Sequence, residues 1–211
     1  MLMRILLADD HAMLRSGLTL LLTEAFTEVI FGEAETSQQA LEAALTQPWD
    51  LIILDISMPG RGGLDVLKEI HAQRPMTPVL MLSMHAERQF AVRAFRAGAS
   101  GYLTKASAGA ELVRAVERIL AGGRYVSTVL AEQLAFVLGG GGSDQLHERL
   151  SDREFEILRL IASGKTVKEI AGELSLSGNT ISTYRSRILE KMAMQTNAEM
   201  THYAISNKLV E

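Results

Sequence analysis

The chain has 211 residues, 25 acidic and 21 basic, with no cysteine and 47% hydrophobic residues. The absence of cysteine excludes disulfides, thiolate zinc sites, iron–sulfur clusters and thiol nucleophiles, and the composition excludes a disordered tail. The net charge of −4 speaks against a general nucleic-acid coat but leaves room for a local basic face.

The length suits one large domain or two small ones, each with its own core. The start, Met1-Leu2-Met3-Arg4-Ile5, runs directly into Asp9-Asp10 and does not read as a signal peptide. No stretch reaches the ~18 uncharged apolar residues of a membrane span. A cytoplasmic location is expected, with no membrane partner.

Over the first 122 residues, short apolar runs at 4–8, 29–31, 51–54, 79–82 and 101–103 alternate with helical patterns. Runs this short and without polar alternation read as strands buried on both faces. Thr36-Ser37-Gln38-Gln39 has the spacing of a capping box. Leu112, Val116, Ile119 and Leu120 fall on one face of a later helix. Strands alternating with helices predict an α/β fold, a doubly wound five-stranded parallel sheet.

The texture then changes. An apolar helical piece at 128–138 leads into Gly139-Gly140-Gly141-Gly142-Ser143, a flexible-linker composition. Residues 123–147 are read as linker. From 148 to 211 no strand-like run appears, and four helices are predicted at 151–163, 166–173, 177–192 and 196–207. Ser151 with Glu154, and Thr166 with Glu169, have capping-box spacing.

In an open parallel sheet, ligands lie outside the carboxyl ends of the strands. Asp9 and Asp10 follow the first strand, Asp55 the third, Ser83 the fourth and Lys105 the fifth. Each alone is an ordinary loop residue, but the fold gathers all five at one edge. Crowded carboxylates repel and call for a cation. An oxygen-only donor set, read without His or Cys, points to Mg²⁺. Lys105 and the Ser83 hydroxyl suit phosphoryl oxygens, and Asp55 is placed as a nucleophile toward phosphorus. His85, near Ser83, reads as a solvated neighbour rather than a general base.

On these residues, 1–122 resembles the receiver domain of a two-component response regulator, with its flavodoxin-like fold. Asp9-Asp10 match the acidic pair. Asp55 in Asp55-Ile56-Ser57-Met58-Pro59-Gly60 matches the phosphoacceptor loop, Ser83 the switch hydroxyl, Tyr102 the switch aromatic and Lys105 the lysine. The resemblance implies Mg²⁺ held directly by Asp10 and Asp55, with Asp9 nearby and the Ser57 carbonyl contributing. It also implies phosphoryl transfer from a sensor histidine kinase, followed by a shift of Ser83 and an inward rotation of Tyr102. The family often has proline after the lysine, in a cis peptide. Here the residue is Ala106, which leaves the geometry of that bond open.

Residues 166–192 read helix, turn, helix, with Leu174-Ser175-Leu176-Ser177-Gly178-Asn179 as the turn and Ser177 as a cap. The second helix of such a unit enters the major groove. Ile181, Tyr184, Ile188, Leu189 and Met192 form its apolar face. Ser182, Thr183, Ser186 and Arg187 face elsewhere and are groove candidates. Arg185 is assigned to the DNA backbone, and Asn179 and Lys191 are further DNA-binding candidates. Lys165, Thr166 and Lys168 open the preceding helix, where N–H groups and basic side chains suit phosphate. Charge alone does not identify a reader, since residues 149–199 hold eight basic and seven acidic side chains.

The pattern Leu150-Ser151-x-Arg153-Glu154-x-Glu156-Ile157-Leu158, Ala162-x-Gly164-Lys165, Lys168-Glu169-Ile170-Ala171, Leu176-Ser177-x-x-Thr180-Ile181 and Ile188-Leu189-x-Lys191-Met192 resembles the LuxR-type DNA-binding domain. With the receiver, the architecture resembles a response regulator of the NarL/FixJ type. It implies a phosphorylation-activated transcriptional regulator and not an enzyme, binding double-stranded promoter DNA as a homodimer when active. Ser182 and Tyr184 stand where the family often has lysine and histidine, so the recognised sequence does not carry over. Residues 201–205 lie on the last helix, which in the family supplies a dimer contact. The rival reading is a phosphorylation-independent interaction protein whose last domain only dimerises. A phosphatase-type enzyme is weaker, since no separate acid/base or lid is evident.

Overall fold

The computed structural model describes residues 2–59, 61–84, 87–127, 131, 145–207, 209 and 210. Gly60, His85, the glycine run and all but one residue of the 128–138 piece lie outside them. The chain divides into two compact units, Met1–Gly139 and Gly140–Glu211.

The first unit alternates strand and helix: β1 (Met3–Ala8), α1 (Ala12–Ala25), β2 (Val29–Ala34), α2 (Ser37–Thr46), β3 (Leu51–Asp55), α3 (Gly63–Gln73), β4 (Val79–Ser83), α4 (Glu87–Arg96), β5 (Gly101–Thr104) and α5 (Lys105–Leu120). The five strands form one parallel sheet in the order β2-β1-β3-β4-β5. β3 and β4 are buried at every residue, as strands covered by helices on both faces must be. β2 runs three residues beyond the predicted 29–31, through Gly32 and Glu33. It is the edge strand, so polar residues are tolerated there and the apolar run understates its length. Gly32 admits the Trp49 ring, which would lie 2.2 Å from a Cβ at that position.

Thr36 caps α2 by accepting from the Gln39 N–H. The reciprocal bond is displaced by one residue, with Gln39 Oε1 accepting from Glu35 N. On α5, Leu112, Val116 and Ile119 enter the core, but Leu120 is 37% exposed. Leu120 is the helix's last residue, where the apolar stripe drifts off the sheet.

The second unit holds a short 3₁₀ turn (Leu146–Arg149), not foreseen in the sequence, and four helices: α6 (Asp152–Ala162), α7 (Val167–Glu173), α8 (Gly178–Lys191) and α9 (Asn197–Ser206). α6, α7 and α8 start at the hydroxyl caps the sequence signals, and Thr196, which carried no such reading, caps α9 by accepting from Glu199 N. Both capping boxes close reciprocally, and Ser177 accepts from Thr180 N. α6 ends in a Schellman turn: Gly164 N donates to Ile161 O and Lys165 N to Leu160 O, with Gly164 at φ +84°. The core joins Phe155, Ile157, Leu158 and Ile161 of α6 to Ile170, Ile181, Ile188, Met192, Met200 and Ala204.

Candidate functional site

Strand order reverses between β2-β1 and β3-β4-β5, so the crevice at the carboxyl end of the sheet opens at β1 and β3. Asp9 follows β1 and Asp55 ends β3; these side chains are 2% and 0% exposed. Asp10 stands at the rim, 30% exposed. Lys105, the first residue of α5, sends Nζ to 2.8 Å from Asp55 Oδ2 and 2.7 Å from Asp9 Oδ2. The other Asp55 oxygen accepts from Ser57 N at 3.2 Å. Gly63 lets the start of α3 press against this strand end, where a Cβ would meet the Asp55 carbonyl oxygen at 2.3 Å.

Burial pushes the Asp55 carboxyl up to about 6, against the pull of the Lys105 charge and with the push of Asp9. For Lys105, burial favours the neutral amine, but the Asp55 and Asp9 carboxylates outweigh it and hold the ammonium above its usual range. Asp55 is thus a buried carboxylate sustained by a single cation, with a second acid against it.

Ser83 is fully buried at the end of β4, level with Thr104. Tyr102 is also wholly buried, so the expected inward rotation finds the ring already inside. The Lys105–Ala106 bond is trans, as are all peptide bonds among the described residues.

Two residues of the pocket were missed in the sequence. His11 folds back on the acid pair, with Nδ1 2.8 Å from Asp10 Oδ1 and 3.0 Å from Asp9 Oδ1. Asp9, Asp10, His11 and Asp55 can present ligand atoms within 4.8 Å of one another, so the donor set is not oxygen alone. Arg15, buried on α1, donates through Nη1 to the Asp9 carbonyl at 2.7 Å and pairs with Glu33 and Glu35. Hydrogen bonding to Glu33 raises its guanidinium further above its usual range. The signal for His11 was its place directly after Asp9-Asp10; Arg15 lies one helical turn further on.

In the helix-turn-helix, Asn179, Ser182, Thr183, Ser186 and Arg187 are exposed on α8. The hydroxyls of Ser182, Thr183 and Ser186 donate to the carbonyls four residues earlier, Gly178, Asn179 and Ser182. Tyr184, expected in the core, is half-buried and lines a shallow recess with Asn179, Thr180, Thr183 and Arg187. Ile181, Ile188 and Met192 are buried as expected.

Most of the basic candidates are engaged within the domain. Lys165 pairs with Glu173, Lys191 with the buried Glu154 at 2.6 Å, and Arg185 donates to Asn197 Oδ1 at 2.6 Å. Thr166 caps α7, where the Glu169 carboxylate accepts from both the N–H and the hydroxyl of Thr166. The helix end expected to suit phosphate therefore already faces an anion of its own. Lys168 and Arg187 are exposed.

Comparison with known proteins agrees with both units. The response regulator receiver domain matches residues 5–117, and the bacterial regulatory proteins of the luxR family match 148–204. The chain is 34% identical over 208 residues to response regulator GacA of Pseudomonas protegens, covering 99% of this chain and 98% of GacA. It is 33% identical to response regulator UvrY of Escherichia coli K12, covering 97% and 94%. Among solved structures, RcsB of Salmonella enterica serovar Typhimurium, bound to promoter rprA in the presence of a phosphomimetic, is 26% identical with a TM-score of 0.63, covering 96% and 98%. The chain belongs to the NarL/FixJ type of response regulators, DNA-binding transcription regulators that join a receiver domain to a LuxR-type helix-turn-helix domain.

Proposed function

We propose that Asp55 accepts a phosphoryl group from a sensor histidine kinase, and that the modified protein binds double-stranded promoter DNA as a homodimer. The observation that carries this reading is the fully buried Asp55 with Lys105 Nζ at 2.8 Å and Asp9 beside it. In the transfer, an Asp55 oxygen attacks phosphorus and the P–N bond to the kinase histidine breaks. Its electron pair stays on the imidazole nitrogen, and an acyl phosphate forms on Asp55. Lys105 neutralises a phosphoryl oxygen, and the Ser83 hydroxyl donates to another.

The residues fit Mg²⁺. The donors are mostly hard carboxylate oxygens, and the buried Asp9 and Asp55 carboxylates share the single Lys105 ammonium, which leaves excess negative charge for a cation. Asp10 and Asp55 would hold the ion directly, with Asp9 nearby and the Ser57 carbonyl contributing. The ion would supply charge neutralisation to the phosphoryl oxygens.

On the DNA side, Asn179, Ser182, Thr183, Ser186 and Arg187 face the groove, while Thr166, Lys168 and Arg185 serve the phosphate backbone and Lys165 and Lys191 stay paired with Glu173 and Glu154. RcsB, a similar solved protein, is bound to promoter DNA in the presence of a phosphomimetic, which supports DNA binding as the role of the second unit. The domains are assigned as receiver 1–122, linker 123–147 and reader 148–211. No helix among the described residues is long and apolar enough to cross a membrane, which is consistent with a cytoplasmic regulator.

The test has two arms. A small phosphodonor with Mg²⁺ should add one phosphate to the protein, and none to Asp55→Asn. Site selection and footprinting should then show tighter binding with a phosphoryl mimic than without. Equal DNA affinity in both states, unchanged by Asp55→Ala, would overturn the switch and favour a phosphorylation-independent interaction protein.

A further inference from the structure

Resting on the reading of the acidic pocket as a divalent-cation site, we propose that His11 supplies it with a nitrogen ligand. The pocket then favours borderline first-row ions such as Co²⁺ and Ni²⁺ more than carboxylates alone would.

The geometry starts in the backbone. His11 N donates to Asp9 Oδ1 at 2.8 Å, a tight turn that folds residue 11 back over the acid that follows β1. The ring follows, and Nδ1 sits 3.0 Å from Asp9 Oδ1 and 2.8 Å from Asp10 Oδ1. Adjacent ligands of an octahedral ion bound at about 2.1 Å are separated by about 3.0 Å. The 2.8 Å spacing from Nδ1 to Asp10 Oδ1, a direct ligand on the proposed reading, is therefore close to a polyhedron edge. The fourth donor, Asp55, lies within the same 4.8 Å limit.

A cation already shares this space. Lys105 Nζ is 2.7 Å from Asp9 Oδ2, 2.8 Å from Asp55 Oδ2 and 3.5 Å from His11 Nδ1. The protein's own ammonium thus marks a place that two carboxylates and the imidazole surround together. Exposure fits a rim ligand. The His11 side chain is 62% exposed, so it can turn onto an entering ion without disturbing the core.

The consequence follows from ligand chemistry. Carboxylate oxygens suit Mg²⁺ and Mn²⁺ alike, whereas imidazole adds more to the binding of borderline ions than to Mg²⁺. Mg²⁺ gives up water reluctantly and can keep a water at the position that His11 offers. His11→Ala should therefore weaken Ni²⁺ binding by about 10-fold while moving Mg²⁺ binding by no more than about 2-fold.

The direct test is pulsed EPR on the full chain loaded with Mn²⁺ alone. Wild type should show ¹⁴N modulation from a bound imidazole, replaced by the ¹⁵N pattern when histidine is ¹⁵N-labelled, and absent in His11→Ala. The labelling arm needs no substitution, so a misfolded variant does not blunt the test. Mn²⁺ bound at Asp55 without nitrogen coupling overturns the ligand assignment and leaves the metal site standing. Mn²⁺ binding that is indifferent to Asp55→Asn overturns the metal site, and the assignment with it.

Discussion

Asp55 is held in a costly state. Its carboxyl sits at about 6 in the folded protein against 3.8 for the unperturbed group. The folded state therefore binds the proton more tightly than the unfolded chain. Its contribution to stability is present below pH ~4 and is lost as pH rises through about 6. A shift of this size corresponds to about 3 kcal/mol. Asp55→Asn keeps the shape and removes the charge. In the metal-free protein it should stabilise the receiver by about 2 kcal/mol at pH 8 and by much less at pH 4. The single tryptophan, Trp49, is buried in the receiver and reports its unfolding in urea. A variant no more stable than wild type at pH 8 would contradict the burial argument. Arg15 works in the opposite sense. Its guanidinium ties the Asp9 carbonyl to Glu33 and Glu35. Arg15→Met should cost about 1–2 kcal/mol by the same Trp49 readout, because it leaves the buried Asp9 carbonyl without its donor while Glu33 and Glu35, each more than half exposed, stay solvated. Arg15→Lys should fall between, keeping the charge but losing the fork.

At the scale of the element, the helix ends of the reader carry both strain and function. Ser175 and Ala193 adopt φ +52°, the left-handed region that side chains disfavour. Each closes a Schellman turn. Leu176 N donates to Ala171 O after α7, and Met194 N to Leu189 O after α8. Ala193→Gly should relieve that strain and stabilise the domain by about 0.5–1 kcal/mol in thermal unfolding; a loss of stability would show that the Ala193 methyl packs usefully. The caps and the buried strands were legible in the sequence because both follow from local chemistry, namely a hydroxyl three residues before its N–H and an apolar run too short for a helix. The receiver pocket was legible because parallel topology sends every strand's carboxyl end to one edge. His11 and Arg15 were not, because their roles depend on a turn and on two carboxylates from β2 and the residue after it. The charges in Arg153-Glu154-x-Glu156 were seen as a family signature only. In the structure all three are buried: Arg153 bridges Glu156 and the Leu174 carbonyl, and Glu154 receives Lys191. Burial raises the Glu154 carboxyl, but the Lys191 and Ser151 hydrogen bonds outweigh it and hold it below its usual range. These pairs lock α6 to α7 and α8 and thereby aim the recognition helix.

At the scale of the whole molecule, charge determines how the regulator can hold DNA. Residues 1–143 carry twelve basic and fifteen acidic side chains, and 144–211 carry nine and ten. No long-range attraction supplies non-specific affinity. On the proposed reading, binding rests on a few placed cations, doubled when two readers pair on one site. Lys165 and Lys191 are paired with carboxylates, whereas Lys168 is exposed and Arg185 bonds the neutral Asn197 side chain. With about two phosphate contacts per protomer, the log-log dependence of affinity on salt should have a slope of about −2 for one protomer and about −4 for a dimer on a full site. Adding the phosphoryl mimic should therefore steepen the slope as well as tighten binding, because it brings a second reader onto the site. Lys168→Ala should flatten the dimer slope by about 2, one contact on each protomer. Lys165→Ala should change it little, since that charge is already spent on Glu173. Fluorescence anisotropy across a KCl series reads all of these. A steep slope indifferent to Lys168→Ala would mean that the phosphate contacts lie elsewhere. A slope unchanged by the mimic, with tighter binding, would mean that phosphorylation acts on each reader singly and not through pairing.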